Sequence, residues 1–233
     1  MARPRVLLTG FGPFPGVAVN PSAWLAETLA ARAPSAAFDC ELHARVLPTE
    51  WKAVASLTPR LHDTLQPHVM IHFGLSERAR SFRIERSAHN RALPRADASG
   101  ALPAGPRILP HGPERLDTRL PANALASHLK ARGHEAVTSR SAGRYLCNFL
   151  YYLSLEWAGW QANPTLALFV HIPLGPAQGG PFGEAELLHG AQETLRLVLA
   201  VARERSEATP MEDRTGPGFA LSDVSLRRRK PKS

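Results

Sequence analysis

Cys147, His171 and Glu85 carry the side chains and the settings that nucleophilic acyl transfer would need. Cys147 follows Ser141-Ala142-Gly143-Arg144-Tyr145-Leu146 and stands where a helical pattern begins. A cysteine there meets backbone N–H groups and the positive end of the helix dipole, and both favour the thiolate. Read alone, it also suits a small buried hydrophobe, the usual setting of a free cysteine. Cys40 lies in an alternating run with Phe38, Leu42, Ala44 and Val46, which favours burial over reactivity. A thiolate needs a base, and His171 ends the apolar run Leu166-Ala167-Leu168-Phe169-Val170. A titratable group at the carboxyl end of a strand sits where α/β active sites form. His72 ends Val69-Met70-Ile71 in the same way, and either histidine also suits a purely structural role. Glu85, in Ile84-Glu85-Arg86-Ser87-Ala88-His89-Asn90, could orient the base, although a surface Glu beside Arg is a common arrangement.

Other chemistries fit poorly. The loop Gly10-Phe11-Gly12-Pro13-Phe14-Pro15-Gly16 has Pro15 where a dinucleotide fingerprint needs its third glycine. Pro13 and Pro15 also lack the N–H groups that a pyrophosphate would use. Two aromatics on such a loop suggest an apolar pocket wall, or two rings folded back onto the core. Ten histidines are present, but no His-Glu-x-x-His or Cys-x-x-Cys occurs, so no metal is expected. Two cysteines do not make a disulfide framework, and a reducing cytoplasm is the default expectation. Glycines and prolines from Gly10 onward break the first apolar run too early for a signal peptide. No stretch approaches the roughly 20 apolar residues of a membrane span.

The elements that must position these residues follow from periodicity. Strands are expected over 5–9, 38–46, 69–73, 135–139 and 166–172, with weaker alternation over 80–88. Asn20-Pro21-Ser22 opens a helix whose face carries Trp24, Leu25, Thr28 and Leu29. Further helices are expected over 51–65, 121–132 and 146–157. A long amphipathic helix over 184–204 carries a stripe from Leu187 to Ala202. Alternating strands and helices, with several wholly apolar strands, predict an α/β domain around a mostly parallel sheet. The stretch 91–120 is rich in Pro, Gly and Arg, lacks periodicity, and reads as a long functional or mobile excursion.

The chain is 44% hydrophobic and 21% charged, which suits one globular domain. Its net charge of +8 invites a nucleic-acid reading. Five of those charges (Arg227, Arg228, Arg229, Lys230 and Lys232) fall in the last seven residues. The remainder is ordinary for a soluble domain, so nucleic acid is not the expected partner. Residues 206–233 read as a disordered basic tail behind a domain of 1–205.

These pieces occur together in one family. The chain resembles the pyroglutamyl peptidase I (pyrrolidone-carboxylate peptidase) family of cysteine peptidases. Leu7-Leu8-Thr9-Gly10-Phe11-Gly12-Pro13-Phe14-x-Gly16, with Asn20-Pro21-Ser22, resembles its amino-terminal signature. Leu47-Pro48-Thr49 and Glu85-Arg86-x-Ala88-x-Asn90 resemble two further blocks. Ser141-Ala142-Gly143-x-Tyr145-Leu146-Cys147-Asn148 and Val170-His171-Ile172-Pro173 resemble the last two. The resemblance implies a single three-layer α/β/α domain with a twisted, mostly parallel central sheet. It implies hydrolysis of an N-terminal pyroglutamyl residue from peptides, without a cofactor. Cys147 would be the nucleophile, His171 the base and then the acid, and Glu85 the residue that orients it. Phe11 and Phe14 would sandwich the pyrrolidone ring, with Tyr145 and Leu146 as further pocket positions. Arg95 would lie near the scissile carbonyl. Self-association into a dimer or tetramer is also implied, with 91–120 as a candidate interface.

The chain departs from the family at two internal places, and its basic tail extends past the family's usual end. A glycine-rich run after the third strand is replaced by Gly74-Leu75-Ser76-Glu77-Arg78-Ala79-Arg80, and the piece after Asn90 is reduced to Asp97-Ala98-Ser99-Gly100. Two other readings are a related cysteine amidase with a different cyclic or N-acyl substrate, and a non-enzymatic protein docking through its basic tail. The presence of Glu85, Cys147 and His171 together argues against the last.

Overall fold

The computed structural model describes residues 3–32, 38–161, 165–176 and 179–208. Eight strands are β1 (Arg5–Phe11), β2 (Glu41–Leu47), β3 (Val69–Leu75), β4 (Phe82–Glu85), β5 (Ser87–His89), β6 (Arg115–Asp117), β7 (Ala136–Ser139) and β8 (Leu166–Ile172). Among these residues the five helices are α1 (Pro21–Arg32), α2 (Trp51–Leu65), α3 (Ala122–Ala131), α4 (Leu146–Trp160) and α5 (Glu184–Ala208). Six strands form one sheet in the order β2-β1-β3-β8-β4-β7, and β5 pairs with β6 in a separate ribbon. The first four strands of that order are mutually parallel. β4 runs antiparallel to β8 and parallel to β7.

Strand side chains alternate between faces, so an unbroken apolar strand must be covered on both sides. Val6, Leu8, Ile71, Phe73, Leu168 and Val170 pack on one face against α1, α3 and α5. Leu7, Phe11, Met70, Ala167 and Phe169 pack on the other against α2 and α4. The result is the expected three-layer α/β/α arrangement. Close approach of α1 to β1 requires Gly10, because a Cβ there would lie 2.1 Å from the Ser22 carbonyl oxygen. No helix among the described residues is long and apolar enough to cross a membrane.

Several boundaries differ from the periodicity. The weak alternation over 80–88 is two strands in two sheets. β4 ends at Glu85, the Arg86 N–H reaches the Ser139 carbonyl, and the chain peels away to pair with β6. Phe38 and Cys40 are buried, as alternation suggested, but precede β2. The excursion over 91–120 contains β6 and is pinned by buried polar side chains. Both Asn90 side-chain groups are used, Oδ1 by the N–H groups of Ile108 and Leu109, Nδ2 by the carbonyls of Leu109 and Gly112. Asp97 accepts from the backbone of Ser99 and Ala101 through Oδ1 and from the Trp51 N–H through Oδ2. It thereby caps α2 from a distant loop. The last helix continues to Ala208, three residues past the expected boundary at 205. The rest of the expected tail lies outside the described residues.

Candidate active site

The register of the central strands builds the site. Residues 167, 169 and 171 of β8 face α4, and the antiparallel pairing sets Arg83 opposite His171 and Glu85 opposite Phe169. Glu85 therefore lies diagonal to His171 on the same face, and its Oε1 accepts a hydrogen bond of 2.8 Å from Nδ1. Glu85 is fully buried and His171 nearly so. With Nδ1 bound to a carboxylate, Nε2 is the ring nitrogen left for the neighbouring Cys147 side chain. Cys147 is the second residue of α4, behind Tyr145 as N-cap. The leading N–H groups of a helix have no partner within it, so this turn offers donors and positive potential beside the sulfur.

Burial opposes a charge on His171, but the neighbouring Cys147 sulfur and then the Glu85 carboxylate outweigh it. The imidazole is pushed up from 6.5 to about 9. A protonated imidazole next to the sulfur places a positive charge beside the atom that would act as nucleophile.

Gly74 provides the room for this pair. It lies beside His171 across the β3–β8 ladder. A Cβ there would stand 2.6 Å from the Phe169 ring and 3.0 Å from Cys147 Sγ. Periodicity assigned Gly74 no role, and the same is true of Asn148. The Asn148 side chain accepts from the His89 N–H and donates to the carbonyls of His89 and Arg91. It fastens the helix that carries Cys147 to the strand that follows Glu85. An Asn directly after the candidate nucleophile was the available signal, and the structure buries it fully. Tyr151, one turn along α4, donates from its hydroxyl to the Glu85 carbonyl.

The loop after β1 is held by the residues of the amino-terminal blocks. The Gly12 carbonyl accepts from Asn20 Nδ2 at 3.0 Å and Thr49 Oγ1 at 2.9 Å. Ser22 Oγ accepts from the Phe11 N–H. Phe11 is buried at the end of β1, and Phe14 is half-buried on the turn that follows. Leu146 is buried in the same core layer as Phe11. The Tyr145 ring meets the Trp51 ring edge-on at 5.1 Å, and its hydroxyl donates to the Ala96 carbonyl. The exposed Arg95 guanidinium lies over the Tyr145 ring at 5.1 Å. Arg95 is thus brought within two residues of Cys147 in α4, on a strap also held by Trp51 Nε1 donating to its carbonyl. His72, the other strand-end histidine, is fully buried against Thr9 Oγ1 at 2.8 Å, and burial lowers it to about 3. No group of three His, Cys, Asp or Glu side chains among the described residues is arranged to hold a metal ion.

A family model described as pyroglutamyl peptidase matches residues 4–181. The chain belongs to the pyroglutamyl peptidase family. The pyrrolidone-carboxylate peptidase of Pyrococcus furiosus is 33% identical over 175 residues, covering 75% of this chain and 83% of that protein. The corresponding protein of Chromobacterium violaceum is also 33% identical, over 90% of this chain and 98% of its own length. The crystal structure of Bacillus amyloliquefaciens pyroglutamyl peptidase I superposes with a TM-score of 0.77 at 26% identity, covering 85% of this chain and 98% of that one. The chain is accordingly a member of a cysteine peptidase family, with the family's fold.

Proposed function

We propose that the protein hydrolyses the amide bond after an N-terminal pyroglutamyl residue, through a thioester formed on Cys147. The observation that carries this reading is the chain of contacts Glu85 Oε1 to His171 Nδ1 at 2.8 Å and His171 to Cys147 at the first turn of α4. The Cys147 thiolate attacks the exocyclic carbonyl carbon, and charge moves to its oxygen. Backbone N–H groups at the start of α4 can hold that oxyanion. The carbon–nitrogen bond then breaks, and His171 Nε2 delivers its proton to the departing amine. Water next loses a proton to His171 and attacks the thioester, and the Cys147 thiolate leaves with free pyroglutamate as product. Glu85 fixes the ring orientation and balances the imidazolium.

The pyroglutamyl ring is flat, neutral and polar only along its lactam edge. Phe11 and Phe14 on the β1 loop, with Tyr145 beside the nucleophile, are suited to its faces. Arg95 is suited to the substrate backbone near the scissile carbonyl.

Release of a fluorophore from pyroglutamyl, prolyl and alanyl amides tests this reading. Only the pyroglutamyl amide should be turned over. Cys147→Ser should abolish turnover, whereas Cys40→Ser should stay within a few-fold of wild type. Turnover of none of the three amides by a protein that still reacts with a thiol reagent would sink the substrate assignment. Loss of activity in Cys40→Ser alone would sink the nucleophile assignment.

A further inference from the structure

Because β3 and β4 flank β8, the connection between them must cross the carboxyl end of β8, immediately beyond His171. Residues 76–81 make that crossing. The Ser76 N–H donates to the Ile172 carbonyl at 2.9 Å, and the Ala79 N–H donates back to the Ser76 carbonyl. Ala79 is buried and anchors the turn, while Glu77, Arg78 and Arg80 are exposed on it. None of the ion pairs among the described residues involves Arg78 or Arg80. Arg83, the first β4 residue on the catalytic face, stands opposite His171. It is 41% exposed, with Nε 3.9 Å from Glu85 Oε1. Three arginines thus gather within six residues of chain at one side of the site, offset by the single exposed carboxylate of Glu77.

The sheet order says which part of a substrate meets them. Phe11 lies at the end of β1, on the far side of β3 from β8. His171 must reach the departing nitrogen to protonate it, so the leaving peptide extends toward β8 and β4. We propose that Arg78 and Arg80, with Arg83 behind them, select peptides that carry an acidic residue directly after the pyroglutamyl group. This rests on the pyroglutamyl reading above and specifies its substrate class. A carboxylate on the leaving side gains from the Arg78 and Arg80 guanidinium groups, which no ion pair among the described residues engages, and a lysine there is repelled. Exposed charges interact through water, so the effect should be moderate and sensitive to salt.

The test compares pyroglutamyl-Glu, pyroglutamyl-Gln and pyroglutamyl-Lys peptide amides. At low ionic strength kcat/KM should fall in the order Glu, Gln, Lys, with about tenfold between the extremes, mostly in KM. At about 1 M salt the Debye length shrinks to about 3 Å and the spread should collapse to less than about threefold. In Arg78→Glu/Arg80→Glu, both exposed substitutions, the order should reverse. Equal kcat/KM for the three peptides, or an unchanged order in the double variant, would overturn the selection while leaving pyroglutamyl hydrolysis standing. Failure to cleave the uncharged Gln peptide would remove both readings together.

Discussion

The proton on His171 sets the pH range over which Cys147 can attack and expel an amine. Folding raises this imidazole from 6.5 to about 9. The contacts that hold the proton on His171 therefore contribute stability fully below about 6.5, and that contribution is lost as pH rises through about 9. The same proton is needed by the leaving group, so kcat/KM should decline on the basic side near pH 9. Of the contributions that raise His171, the Cys147 sulfur comes first and Glu85 after it. An NMR titration of His171 in Cys147→Ala should accordingly move to lower pH than in wild type. An unmoved titration would mean that no thiolate–imidazolium pair exists. Cys40 behaves in the opposite way. It is buried, and burial outweighs Arg203 in pushing its thiol up to about 11, so it stays protonated. Gly74 is the other decisive residue. Gly74→Ala would drive a methyl into the Phe169 ring and toward Cys147 Sγ. A displacement of about 1 Å at a reacting group costs roughly 100-fold in rate. Turnover should fall by that order while the circular dichroism spectrum is retained, and wild-type turnover would show that the sulfur is not confined there.

At the scale of elements, the segments that carry the catalytic candidates are tied to one another by hydrogen bonds, and periodicity does not reveal such bonds. The strands around Leu7, Ile71 and Leu168 were legible because apolar runs of that length are buried on both faces. The direction of β4 was not, since a four-residue strand pattern reads the same either way. Direction matters, because only the antiparallel register lays Glu85 diagonal to His171. The excursion over 91–120 looked irregular because its order comes from the Asn90 and Asp97 side chains rather than from a repeating apolar face. The Glu85, Cys147 and His171 positions were legible through the family blocks, whereas the space left by Gly74 and the clasp made by Asn148 needed coordinates. Asp97 gives the excursion a measurable stake in α2. Burial raises the Asp97 carboxyl, but hydrogen bonds from the Trp51 N–H, Ser99 and Ala101 outweigh it, and the carboxyl ends below its usual 3.8. Its contribution is present above pH 3.8 and lost as pH falls below that value. Asp97→Asn should lower stability at pH 7 by about 1 kcal/mol in urea melts, and the difference should vanish in acid. A constant difference at all pH values would show that the carboxylate charge plays no part.

At the scale of the molecule, two core layers with different tasks share one sheet. The layer under α1, α3 and α5 packs aliphatic and aromatic side chains, with Glu193 and Thr194 of α5 and His134 also buried on that side. The layer under α2 and α4 contains the polar machinery, with Phe11, Leu146 and Phe169 as its walls. β8 occupies the middle of that sheet yet is the last strand among the described residues, entering between β3 and β4. A ribosome therefore releases both neighbours of the central strand before the strand itself exists. The gap between them has to stay open, or reopen, until about residue 172 has emerged. Catalysis cannot precede that insertion, because His171 travels with it. After dilution from denaturant, turnover should reappear in step with the slowest phase of tertiary fluorescence and never ahead of it. Truncated nascent chains ending before β8 should be protease-sensitive between β3 and β4. For this architecture, enzymatic activity doubles as a clock for the closing event of folding.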